Sequence, residues 1–130
     1  MSRKLTAEER AAMKAALKDA EGEKAVQEAF AKMAPADRAL AKKVHAIVRK
    51  AAPALTPRTW YGMPAYSNDD GKVVVFFRDA GKFKERYAVL GFQDAASLDS
   101  GAMWPIAYAL TKLSAADEAK ITKLVKQAVK

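Results

Sequence analysis

Asn68-Asp69-Asp70-Gly71-Lys72-Val73-Val74-Val75-Phe76-Phe77-Arg78-Asp79-Ala80-Gly81-Lys82 is the stretch whose reading decides the fold. Its centre is a run of β-branched and aromatic side chains too short for a helix, and turn formers flank it on both sides. Asp-Gly supplies the positive backbone torsions of a tight hairpin, so Asn68 to Gly71 should turn the chain into a strand from Lys72 to Arg78. The unbroken apolar run from Val73 to Phe77 implies burial on both faces or a central place in a sheet. Asp79 to Lys82 reads as the next turn and Phe83 to Phe92 as the next strand.

Working toward the N-terminus, Thr59 to Tyr61 and Ala65 to Ser67 read as short extended pieces around Gly62-Met63-Pro64. Ala52 to Arg58 reads as a connector, because Pro53 and Pro57 forbid a regular helix. Before it the periodicity turns helical. After Pro35-Ala36-Asp37, the residues Leu40, Val44, Ile47, Val48 and Ala51 recur on one face of a helix that stops before Pro53. Thr6 and Glu9 have the spacing of a capping box, which predicts a helix from about Ala7. Its apolar face is thin, essentially Met13 and Leu17. Gly22 is expected to interrupt it, with a second helical pattern from Glu23 carrying Val26, Phe30 and Met33 up to Pro35.

Toward the C-terminus, Asp94 to Leu98 reads as a short helical turn, Asp99-Ser100-Gly101 as a loop, and Trp104-Pro105 to Thr111 as a last strand. Ser114 caps a final helix with an apolar stripe of Ile121, Leu124, Val125, Ala128 and Val129. The order of elements implies an α+β fold, with N-terminal helices and a C-terminal helix packed on an antiparallel sheet of about five strands. One domain over residues 1–130 is expected, with 1–34 as a loosely attached helical extension and 35–130 as the core.

The chain has no cysteine, which removes disulfides, thiolate metal sites and cysteine nucleophiles and fits a cytoplasmic location. No apolar run approaches the ~18 residues of a membrane span, and no secretory leader is apparent, so no membrane partner is expected. The net charge of +8 is unevenly placed: the excess is +6 over residues 1–58, −1 over 59–108 and +3 over 109–130. Positive charge therefore belongs to the helices, mostly as lysines on their solvated sides. Ten of the eleven aromatic residues fall within 60–108, so the strand-rich centre holds most of the core and walls any pocket.

Catalytic constellations are not apparent. The single histidine, His45, lies mid-helix with no cysteine and no glycine-framed serine to work with, which favours a structural role. The carboxylates Asp69, Asp70, Asp79, Glu85, Asp94 and Asp99 suit hard cations by chemistry, but their spacing fits turns, a cap and, for Glu85, an alternating strand better than a metal cage. Trp60, Tyr61, Met63, Tyr66, Phe76 and Trp104 are the candidate ligand-binding residues, because amphipathic rings beside glycines and prolines often line clefts. An ordinary aromatic core explains the same composition.

The runs Trp60-Tyr61-Gly62-Met63-Pro64-Ala65-Tyr66, Lys72-Val73-Val74 with Phe76, Lys82-Phe83 with Tyr87, Leu90-Gly91-Phe92, and Leu98-Asp99-Ser100-Gly101 leading to Met103-Trp104-Pro105 resemble the small bacterial YdhG-like domain family. The resemblance covers about residues 38–130. It implies a compact cytoplasmic α+β domain without an established reaction. One branch of that family is associated with frataxin-like iron delivery, which suggests iron as a cargo; no carboxylate pair carries over from the family, and Asp69, Asp70, Asp79 and Asp99 of this chain are the residues to test. The expected function is a non-catalytic binding module that takes a small molecule or protein segment in an aromatic cleft, without a resident cofactor. Iron binding is the alternative, and nucleic-acid binding through the basic helices a third reading.

Overall fold

A computed structural model describes residues 4–130. Three helices and five strands follow one another as α1 (Ala7–Ala31), α2 (Pro35–Ala51), β1 (Thr56–Trp60), β2 (Met63–Ser67), β3 (Val73–Arg78), β4 (Ala88–Phe92), β5 (Ala107–Leu110) and α3 (Ala115–Ala128). The strands form one antiparallel meander in the order β1-β2-β3-β4-β5, with the helices packed on one of its faces. This is the α+β architecture the sequence implies, and β3 is its central strand.

Both capping boxes form. The Thr6 hydroxyl accepts from the Glu9 amide at 3.0 Å while the Glu9 carboxylate accepts from the Thr6 amide at 3.2 Å, and Ser114 with Asp117 repeats the arrangement at the start of α3. The helix that follows Thr6 does not break at Gly22, contrary to expectation. It runs unbroken to Ala31. A mid-helix glycine costs about 1 kcal/mol relative to alanine, but here the missing side chain has a tertiary use: a Cβ at Gly22 would collide with the Pro57 carbonyl of β1. Gly22 lets α1 lie directly on the edge strand.

The two halves of α1 differ accordingly. Met13 and Leu17 are 59% and 61% exposed, as their thin stripe foretold, whereas Val26 and Phe30 are fully buried. With Met33 they belong to the main core, so the packed unit begins inside α1 and not at Pro35. Arg38 closes the corner into α2, its guanidinium donating to the carbonyls of Phe30 at 3.0 Å, Ala31 at 3.3 Å and Met33 at 2.9 Å. They lie in and just beyond the last turn of α1, where a helix runs out of amides for its carbonyls. Asp37, in the first turn of α2, accepts from the amides of Ala80 and Gly81 and ties the helix to the β3–β4 loop.

In the sheet, the Asn68–Gly71 turn forms as expected, with the Asn68 carboxamide accepting from the Asp70 and Lys72 amides. The β1–β2 hairpin departs from expectation. Its two-residue turn is Tyr61-Gly62, both with positive φ (51° and 76°), and Trp60 pairs with Met63. Thr56 to Arg58 are therefore strand, not connector, and Met63-Pro64 belong to β2. β4 starts at Ala88 and not at Phe83, because residues 80–87 coil into a turn closed by the Glu85 amide on the Ala80 carbonyl at 2.9 Å. β5 is shorter than expected, and residues 94–98 form a turn without a helix. Tyr66, Val75, Phe77, Leu90, Phe92 and Leu110 face Val26, Phe30, Val44, Val48, Ile121 and Val125 across the core. Among the described residues no helix is long and apolar enough to cross a membrane.

Candidate functional site

Residues paired across an antiparallel ladder share a face, so the register sorts the six candidate side chains. Trp60 pairs with Met63, Ala65 with Phe76, Phe76 with Gly91, and Gly91 with Ala107. By the two-residue alternation these all lie on the face turned away from the helices. Tyr66 pairs with Val75, and so lies on the helix-covered face. The six residues are thus divided between the two sides of the sheet and do not wall one cleft.

On the helix-free face the Trp60 ring packs against Phe76 at 5.4 Å and against Tyr61 at 5.1 Å. Phe76 lies over Gly91, whose missing side chain makes room for the ring. Met63, on the same face, is buried. The β3–β4 loop extends this patch with residues that sequence reasoning did not select. Phe83, 40% exposed, sits under two cations, the Arg78 guanidinium at 5.6 Å and the Lys82 ammonium at 5.5 Å. Arg78 also pairs with Glu85 at 2.9 Å, and Lys82 donates to the Tyr61 carbonyl at 3.1 Å. That last bond fastens the hairpin tip to the loop. Trp60, Tyr61 and Phe76 form one aromatic cluster, and Lys82 links Phe83 to its hairpin tip.

Tyr61 is its most exposed ring, at 79%. Its φ of 51° costs roughly 1–2 kcal/mol for a bulky L-residue. Backbone strain of this kind at a solvent-exposed aromatic residue is a pointer to use. Trp104 stands apart: it is half-buried in the β4–β5 loop and makes no ring contact with the other candidates. Its neighbours Met103 and Ile106 are 90% and 55% exposed.

On the covered face, the Tyr66 hydroxyl lies 2.8 Å from His45 Nδ1, and His45 Nε2 lies 2.8 Å from Glu23 Oε1. A carboxylate only accepts, so Nε2–H donates to Glu23, and in the neutral imidazole Nδ1 accepts the Tyr66 proton. Burial, with the Glu23 carboxylate, pushes the Tyr66 hydroxyl above its ordinary value against an opposing Arg49, which keeps it a donor. Burial works to raise the Glu23 carboxyl too, but hydrogen bonds from His45 and Gln27 and the nearby Arg49 hold it below its usual value. Arg49 grips both Asp19 carboxylate oxygens at 2.7 and 3.1 Å, and this hydrogen bond, opposed by burial, raises its own pKa. The network joins α1, α2 and β2 by polar bonds that are satisfied internally. His45 is buried at the middle of this network.

A cleft of about 670 Å³ opens between α1 and the hairpin, lined among others by Glu28, Lys32, Thr59, Asp79 and Lys82. None of the six candidate residues lines it. Asp79 is buried and accepts from the Lys82 amide at 3.0 Å, while Asp69 and Asp70 sit in the β2–β3 turn and Asp99 in the β4–β5 loop. Among the described residues no three histidine, aspartate or glutamate side chains gather to hold a metal ion. Neither a family model, nor a curated protein, nor a solved structure matches the chain.

Proposed function

We propose that the protein is a cytoplasmic, non-catalytic binding module, and that its contact surface is the aromatic patch of Trp60, Tyr61, Phe76 and Phe83. The observation that carries this reading is Tyr61, four-fifths exposed on a hairpin tip that holds it in a strained conformation. An open, shallow patch of rings offers area and rigid anchors but no enclosure, which suits a protein segment better than a small molecule. Arg78 and Lys82 stand over Phe83 at its rim, where cations add specificity and steering. The resemblance to the YdhG-like family, which has no established reaction, accords with this reading.

Titration with a panel of short peptides rich in aromatic and aliphatic residues tests it through tryptophan emission, since Trp60 lies within the patch. A binding peptide should quench or shift the emission saturably, and Tyr61→Ala should remove the response while the melting curve stays in place. A panel without a saturable response, or one whose hits survive Tyr61→Ala and Phe83→Ala, would sink the proposal.

A further inference from the structure

The three helices cover one sheet face, but two of them also build a groove on the outside of the molecule. Its walls are Lys42, Lys43, Ala46, Ile47, Lys50 and Ala51 of α2, and Glu118, Ala119, Thr122 and Lys126 of α3. The spacing is regular. Lys42, Ala46 and Lys50 follow at i, i+4 and i+8 on α2, as do Glu118, Thr122 and Lys126 on α3, so each helix presents one row of side chains along the groove. Four lysines against one glutamate leave a net charge of +3. Among the described residues none of these lysines has a carboxylate within ion-pairing distance. The floor between the two rows is apolar, made of alanines and the half-buried Ile47.

The charges have a polarity. The C-terminal ends of α2 and α3 line a common hollow, with Ala51 and Ala52 from one helix and Ala128 and Val129 from the other. Lys50 and Lys126 therefore belong to the same end of the groove, and Lys42 and Lys43 share the opposite end with Glu118.

We propose that this groove docks an acidic amphipathic segment of a partner protein. The floor calls for apolar side chains about two helical turns in extent, since Lys42 to Ala51 spans about 13 Å of helix. The rim calls for carboxylates on both sides of that apolar stripe, densest at the end where Lys50 and Lys126 meet. A helix laid in a groove supplies both at i, i+4 and i+7 spacing. A nucleic-acid backbone matches less well. It has no apolar side chain for the floor, and the lining offers neither an arginine to fork onto a phosphate nor a ring to stack on a base. This surface is separate from the aromatic patch, which lies on the other side of the sheet.

The test is fluorescence anisotropy with four labelled probes: a short designed helix with glutamates flanking a leucine stripe, the same helix with leucines replaced by alanine, polyglutamate, and single-stranded DNA. The leucine helix should bind saturably and about tenfold or more tightly than the alanine helix or polyglutamate, and added salt should weaken it. The double variant Lys50→Glu/Lys126→Glu should reduce its affinity by about tenfold or more, with only a small drop in thermal melt, because both side chains are solvent-exposed and the carboxylates oppose only the dipoles of the two last helical turns. Equal binding of all acidic probes, tighter binding of DNA, or no loss in the double variant would overturn the proposal. So would no saturable binding of the leucine helix.

Discussion

Tyr66 and Tyr61 belong to the same hairpin, yet one is fully buried beneath the helices and the other projects into solvent. The covered face of the sheet gathers its polar groups into a chain from Tyr66 through His45 to Glu23, whose bonds are made inside the protein. The helix-free face packs Trp60 against Phe76 beside a strained, exposed tyrosine, and the neighbouring loop sets Phe83 under two cations. Aromatic residues thus do two kinds of work here. Where every donor is satisfied inside the protein, the rings stabilise, and where rings and cations meet water without complete partners, they are available for contact.

The contrast breaks first at the core. Phe77 is fully buried on the covered face, and Phe77→Ala should cost about 3–5 kcal/mol. Chemical denaturation measures this, and a loss as small as that of a surface residue would mean the covered face is not the stabilising one. Next comes the contact between α1 and β1. Gly22→Ala should destabilise by about 1–3 kcal/mol despite the better helix propensity of alanine, because the new Cβ meets the Pro57 carbonyl. A net gain in stability would show that α1 shifts freely on the edge strand.

Tyr66→Phe should cost about 1–3 kcal/mol, because it leaves the buried His45 Nδ1 without its partner while His45 keeps its bond to Glu23. The same network gives a pH dependence of definite sign. The folded Glu23 carboxyl titrates below its unfolded value near 4.5, so its contribution is complete above that pH and is lost as pH falls through the folded value. Glu23→Gln should flatten that part of the acid limb in a stability-against-pH curve. The smallest effect belongs to the open face. Tyr61→Asn should leave stability unchanged or raise it by about 0.5–1 kcal/mol, because asparagine tolerates positive φ before glycine, while peptide binding at the patch is lost. If Tyr61→Asn were strongly destabilising, Tyr61 would be part of the core and the two faces would not differ in kind.

Much of the fold is legible in the sequence because its signals are local. Thr6 with Glu9, Ser114 with Asp117, and Asn68 to Gly71 each carry their geometry within four residues, and all three form as expected. The apolar rows of α2 and α3 likewise follow from helical spacing. The β1–β2 turn is Tyr61-Gly62 and not Gly62-Met63-Pro64, because Tyr61 takes up positive φ ahead of Gly62, which no local signal at a tyrosine announces. The proposed site was half legible. Trp60, Tyr61 and Phe76 do share a surface, but the inclusion of Tyr66 ignored the pairing that sends it to the other face, and Phe83 was assigned to a strand when it lies in the β3–β4 loop.

By itself the sequence determined where helices and most turns start, which side of each helix is apolar, and that the aromatic side chains gather in the strands. Capping, turn chemistry and periodicity act over a few residues and need no partner. Only the tertiary structure decided that Gly22 serves close packing and not a break, that His45 completes a buried chain with Glu23 and Tyr66, and that Tyr61 and Tyr66 have opposite fates. Each of these depends on which atoms of a distant element lie opposite a residue, and pairing register and helix placement fix that together for the whole chain.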